Sequence, residues 1–215
     1  AYEIMPSLVG SEMCIRDSLW EDLTRRYRNT VFVSKDKADE IEKVRLAISE
    51  QWSWRDIWDG QTLRGWKTLG AVWRVRGDSI VGTGKGFIRY RSTVQDFELK
   101  FQVRRTRKEK QPSEVLFRAR GTRSGYFLAL SEEKKYTAVG RRDGRTRVTF
   151  NENIFELERS KWAKVHIMAF RRHLIVYVNG EKVADVRDGA YPWGRLLLGT
   201  QGATEYKEIQ LAFIK

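Results

Sequence analysis

The residues that constrain this chain most run from Trp162 to Asp188, WAKVHIMAFRRHLIVYVNGEKVADVRD. Val165, Ile167 and Ala169 alternate with His166, Met168 and Phe170, and Leu174, Val176 and Val178 alternate with Ile175 and Tyr177. A period of two sends successive side chains to opposite faces of a strand. Arg171 and Arg172 mark a tight reversal between the two runs. Asn179-Gly180 then tolerates the positive φ that both corners of a two-residue hairpin require, and Lys182 to Val186 returns as a third strand. Three such strands leave an apolar face that a meander cannot bury alone, so a second sheet must cover it.

The remainder supplies that sheet. From Trp52 onward, short alternating runs are separated by Gly, Asn and Asp at intervals of roughly ten residues, the pattern of an antiparallel sandwich. Phe97, Leu99, Phe101 and Val103 alternate with Glu98, Lys100, Gln102 and Arg104 in one long strand. SEVLFRAR, GYFLALS, YTAVG and RVTF follow, with Asp143-Gly144 at a hairpin. WRVRGDSIVGTGKGFIRY, Trp73 to Tyr90, is expected to break into three short strands at its glycines, and GRLLLGTQG and TEYKEIQLAFIK to form two closing strands. GTGKGF does not match a phosphate loop, whose Gly-Lys precedes Ser or Thr and opens a helix, so its glycines are read as turns. Ahead of the sandwich, Ser34 resembles a helix N-cap, with Asp36 and Asp39 in the first turns and Ile41, Val44 and Ile48 on one stripe. Residues 19–51 are therefore expected to form a helical extension that packs or links.

Charge is the strongest compositional signal. The formal net charge is +13, and from Glu98 to Arg172 there are twenty Lys and Arg against nine Asp and Glu. Arg104, Arg105, Arg107 and Lys108 form one run and Arg141, Arg142, Arg145 and Arg147 another, both at expected strand ends or loops. Such a surface attracts nucleic acid, anionic glycans or phospholipid head groups, or is simply solvated. No helix-turn-helix, zinc finger or RNP motif is present. No stretch approaches the ~18 apolar residues of a membrane helix. His166 and His173 lack partners at metal-ligand spacing, so neither a metal nor a cofactor is expected.

Two resemblances sharpen this reading. MPSLVGSEMCIRDS, Met5 to Ser18, resembles translated sequencing-adaptor sequence, so residues 1–18 are expected to be an artefactual leader that takes the only cysteine, Cys14, with it. From Ile57 to Ile214 the chain resembles the 3-keto-disaccharide hydrolase-like domain, a concanavalin A/laminin-G-like β-sandwich. IWDGQTLRGWK is similar to the family's opening LFNGKDLSGW, VWRVRGDSIVGTG to its W-x-V-x-D-G-x-L-x-G, and DFELKFQVR to its DFELxxExR strand. SEVLFR, GYFLAL, the central meander, GRLLLGTQG and EYKEIQL occupy the places of its later motifs in the right order.

The resemblance implies an all-β jelly roll over residues 52–215 that binds or processes a glycan, in an extracellular or periplasmic setting. If active, it would hydrolyse 3-keto-glycosides or related sugars. It also implies impaired catalysis. Pro112 stands where the family has asparagine, Phe127 and Ala129 where it has glutamate and glutamine, and the histidine after Gln201 is absent. Glu114 and Glu132 remain as catalytic candidates by elimination. Arg118, matching the family's FFR arginine, is either a donor to sugar hydroxyls in the concave groove or a surface arginine paired with a carboxylate. Tyr126, Trp193, Tyr191 and Trp66 are candidates for stacking on a sugar ring, with Gln201 beside them. The alternative is a non-enzymatic module that binds polyanions or proteins through the basic loops.

Overall fold

The computed structural model describes residues 53–213, apart from 107–110, 132–135, 155–157 and 159. The chain divides into two units, Ala1–Trp52 and Ser53–Lys215. The adaptor-like leader and the expected helix fall in the first unit, outside the described residues. All regular structure among the described residues is strand: β1 (Arg55–Asp56), β2 (Trp66–Arg76), β3 (Ser79–Val94), β4 (Phe97–Arg105), β5 (Ser113–Gly121), β6 (Ser124–Ser131), β7 (Tyr136–Asp143), β8 (Thr146–Ile154), β9 (Ala163–Phe170), β10 (His173–Val178), β11 (Glu181–Arg187) and β12 (Gly194–Phe213).

Every pairing is antiparallel, and the path β11-β10-β9-β4-β12-β5-β6-β7-β8 is continuous. Two layers arise because β12 serves both. Gly194 to Leu198 lies between β3 and β5, whereas Thr204 to Phe213 pairs with β4. The two closing strands expected from sequence are thus one strand, whose second half crosses to the other layer. Leu99, Ile167 and Val176 from one layer and Val115, Leu128, Val139 and Leu198 from the other are all fully buried in a shared core. This is the β-sandwich that the meander required, with Arg171-Arg172 and Asn179-Gly180 at its reversals. Asn179 and Gly180 have φ of 51° and 83°, as a two-residue hairpin of this hand demands.

The glycine-rich stretch departs from expectation. Trp73 to Tyr90 forms two long strands joined at Gly77-Asp78, and Gly82, Gly84 and Gly86 lie inside β3. Close approach explains two of them. A Cβ on Gly86 would stand 2.2 Å from the Ala71 amide nitrogen, and one on Gly82 would stand 2.6 Å from the Trp73 ring. The opening WDGQTLRGW motif is also structural. Asp59 accepts from the Thr62 hydroxyl and from the Thr62 and Gln61 amides, bonds that hold its carboxyl down at about 2. Beyond that turn, Trp66 Nε1 donates to Ile57 O at 3.0 Å, and Trp66 is 4% exposed.

Two buried phenols make the sandwich sensitive to alkali. Burial raises Tyr206, against the opposing effects of Arg105 and of the bond to Gly199 O, and burial likewise raises Tyr126. Their contribution is complete below the ordinary phenol value near 10 and is lost as pH rises through the folded-state values, because only the unfolded chain ionises easily. Chemical denaturation at pH 9 and pH 11 is expected to show stability falling over this interval, and Tyr206→Phe to reduce the fall. An identical pH response in the variant would remove Tyr206 from the account.

Candidate functional site

The site is framed by a break in β5. Simple alternation would put Glu114, Leu116, Arg118 and Arg120 on one face. Instead Arg118 adopts φ 47°, in the left-handed region, and the register with β6 shifts between Phe117 and Gly121. Leu116 and Ala119 consequently share the face away from the shared core, while Val115 and Phe117 face the core. Arg118 itself is completely buried. Its Nε donates to Gln95 O at 2.7 Å, Nη1 to Arg171 O at 2.6 Å, and Nη2 to Asp96 Oδ1 at 2.9 Å. Burial pulls the guanidinium below its usual range and Asp96 opposes the pull. Of the two sequence readings, the structure gives neither a groove donor nor a surface ion pair: Arg118 ties β5 to the β3–β4 corner and to the β9–β10 turn.

Away from the core, Leu116, Phe127, Ala129, Ala138 and Leu197 form a second buried cluster. Phe127 and Ala129 therefore share one face, and that face is apolar where the family pattern is polar. Glu114 lies beside it, 6% exposed. Its carboxylate accepts from Arg142 Nη2 at 2.7 and 2.6 Å and from Arg147 Nη1 at 2.7 Å. Arg147 also sits over the Phe127 ring, 3.9 Å from its centroid. Both oxygens of Glu114 are thus spent on guanidinium groups. Glu132 lies outside the described residues.

The loop end of the sandwich has a different character. Here the β5–β6 and β7–β8 hairpins meet the loop Asp188–Trp193 that leads into β12. Tyr126 is buried in the core, so it is no stacking platform; its hydroxyl donates to Asp188 Oδ1 at 2.7 Å. Asp188 in turn receives Arg141 Nη1 at 2.6 Å. Tyr191 crosses Tyr126 edge to face, with ring centroids 5.6 Å apart, and donates its hydroxyl to Arg142 O at 2.8 Å. This network fixes the loop, and the loop presents Trp193, which is 49% exposed. The Arg120 guanidinium lies 5.7 Å from the ring centroids of both Tyr191 and Trp193. A cavity of about 310 Å³ opens there, lined by Arg120, Ser124, Arg141, Asp143, Ala190 and Tyr191. Arg120 and Ser124 carry no motif, and Asp143 only that of a hairpin corner; the meeting of three loops brings them together.

The remaining candidates are scattered. Trp66 is in the core, and Gln201 is a half-buried residue of β12 paired with Lys85 of β3. The two basic runs lie at opposite ends of the sandwich. Arg104 pairs with Glu205 at 2.6 Å and covers Trp162, and Arg105 is buried, donating to Gln111 O at 3.0 Å. At the loop end Arg141, Arg142 and Arg147 are held by Asp188 and Glu114, while Arg145 is exposed in the β7–β8 turn. Arg107 and Lys108 lie outside the described residues.

Comparison with known proteins agrees with this architecture. Residues 53–212 match the family model described as the 3-keto-alpha-glucoside-1,2-lyase-like domain. No curated protein matches the sequence. Among solved structures, a carbohydrate-binding module from Bacillus subtilis superposes with a TM-score of 0.60 at 17% identity, covering 68% of this chain and 94% of that one. The Emp47p carbohydrate recognition domain gives 0.58 at 14% identity over 73% and 92%. A galectin-like protein from Bacillus subtilis gives 0.59 at 11% identity over 71% and 92%. At these identities the likeness establishes a common sandwich fold.

Proposed function

Because this chain belongs to the 3-keto-alpha-glucoside-1,2-lyase-like domain family, we propose that it binds a glycan at the loop end of the sandwich and cleaves it poorly or not at all. The observation that carries the binding half is Trp193. It is the exposed aromatic among the large exposed hydrophobics of the described residues, on a loop braced by Tyr126 and Asp188. A flat indole next to a polar cavity suits a pyranose, whose ring has an apolar face and a hydroxyl rim. Ser124, Asp143 and Arg120 supply donors and acceptors for that rim. The sugar-binding names of two structural neighbours, a carbohydrate-binding module and a carbohydrate recognition domain, support the same reading.

The weak-catalysis half rests on Glu114. Bond cleavage needs an acid or base within reach of the proton it moves. Glu114 instead meets Arg142 and Arg147, and apolar Phe127 and Ala129 occupy the neighbouring face. Trp193→Ala is expected to reduce affinity for a bound oligosaccharide at least about tenfold, read by calorimetry, with an unchanged melting temperature. Incubation with 3-keto-glycosides is expected to release little product. Efficient turnover that Glu114→Gln abolishes would reverse the catalytic half, and full binding by Trp193→Ala would move the site elsewhere. The polyanion alternative has less support at the two basic runs, since most of their described arginines already hold a carboxylate.

A further inference from the structure

Beyond Arg141 and Ala190 the loop-end cavity continues into a second one of about 360 Å³, whose wall adds Arg172, Arg187, Asp188 and Gly189. None of the motifs in the chain points to it, and it takes residues from the β9–β10 turn, the end of β11 and the loop behind it. Its charges do not cancel. Asp188 is saturated from inside: Oδ1 accepts from the Tyr126 hydroxyl at 2.7 Å and the Ala190 amide at 2.8 Å, and Oδ2 from Arg141 at 2.6 Å. Arg172 and Arg187 are exposed and pair with no carboxylate among the described residues. Arg172 is also placed by the backbone. A Cβ on Gly189 would stand 3.0 Å from Arg172 Nε and 3.2 Å from its Cγ, so the missing side chain is what lets this arginine lie along the loop. The backbone bond from Asp188 N to Arg172 O at 2.8 Å holds the two segments together.

From this we infer that the second cavity is an anion subsite for the glycan proposed above, with Arg172 and Arg187 receiving a carboxylate or sulfate carried by a sugar adjacent to the one on Trp193. The inference rests on the glycan reading and deepens it: the ligand class becomes acidic oligosaccharide. Guanidinium groups suit both anions, because their planar donors can meet two oxygens at once. The site differs from a general polyanion surface in adjoining, across Arg141 and Ala190, the cavity of the proposed glycan site, so it recognises one charged sugar and not a charged backbone of any kind.

The test is calorimetric titration with four probes: a neutral maltooligosaccharide, an oligogalacturonate, which carries carboxylate alone, a carrageenan oligosaccharide, which carries sulfate alone, and a single-stranded oligothymidylate. Each is measured at about 50 and about 300 mM salt, between which exposed charge–charge attraction is increasingly screened. Wild-type protein is expected to prefer an acidic sugar over the neutral one by roughly tenfold or more at low salt, the two acidic arms deciding between carboxylate and sulfate. Arg172→Ala with Arg187→Ala is expected to abolish that preference while leaving neutral-sugar affinity and the melting temperature unchanged. Gly189→Ala, which displaces Arg172 without removing charge, is expected to weaken acidic binding in the same direction. Equal binding of neutral and acidic sugars, or a preference that survives the double variant, overturns the subsite and leaves the glycan reading intact. Oligothymidylate bound as tightly as the acidic sugars also overturns it. Failure of all three sugars to bind sinks both readings.

Discussion

Arg118→Met is expected to destabilise the sandwich by about 3–5 kcal/mol, the usual consequence of removing one partner from a buried charged network. For a domain of this size that corresponds to a fall in melting temperature of roughly 6–20 °C. The methionine fills similar volume, so the loss isolates the guanidinium. Without it, Gln95 O and Arg171 O lose their donors and Asp96 loses its countercharge, all at one corner of the fold. The backbone offers little relief. Arg118 sits at φ 47°, and β12 passes so near that a Cβ on Gly194 would stand 2.2 Å from the Arg118 carbonyl carbon. Arg118→Lys is expected to recover only part of the loss, because one ammonium cannot reach acceptors lying in three directions. A variant Arg118→Met that melts within about 2 °C of wild type would show that these bonds are dispensable.

Gly86→Ala is expected to cost about 3 kcal/mol, at the upper end for overpacking, because the added methyl meets the backbone of β2. Its nearest neighbours would be the Ala71 amide nitrogen at 2.2 Å, Leu69 O at 2.4 Å and the Gly70 carbonyl carbon at 2.9 Å. None of these atoms can swing aside as a side-chain tip can, so β2 and β3 must separate. Gly84→Ala provides the comparison two residues away. That position has open space, and only its φ of 89° resists a side chain. Urea midpoints should therefore rank wild type, then Gly84→Ala, then Gly86→Ala, with the last clearly separated. Equal midpoints for the two variants would mean that steric contact between the strands is not what requires glycine at 86.

The glycines of GTGKGF lie inside β3 and not at the turns that their pattern suggests, because a turn and a close strand crossing require the same residue for different reasons. A turn uses its freedom in φ; Gly86 uses its missing Cβ, and the neighbour it accommodates lies on another strand. Arg118 shows the same limit. Alternation along SEVLFRARG is a local rule, and a single left-handed residue resets it. The reset places Arg118 in contact with residues 22 and 53 positions away, and nothing in the neighbouring residues announces that.

The candidate site divides along the same line. Tyr191 and Trp193 could be picked out from the sequence, since aromatic residues beside proline in a polar loop point to exposure. For Trp193 exposure is found; Tyr191 is buried, but its ring still forms part of the cavity wall. Arg120, Ser124, Asp143, Arg172 and Arg187 carried no such mark. They come from strand ends and turns spread over nearly seventy residues, and only the hairpin geometry gathers them.

What the sequence determined by itself was therefore the set of properties that repeat along the chain. Period-two alternation, paired turn residues and the apolar face of the Trp162–Asp188 meander were enough to require an antiparallel sandwich, because each depends on neighbours two or three positions away. Tertiary structure decided which long-range coincidences follow: one strand serving both layers, an arginine turned inward at a bulge, Glu114 absorbed by Arg142 and Arg147, and arginines from separate turns facing a common cavity. These depend on distances between residues far apart in the chain, which pairing register and packing set and local pattern does not encode.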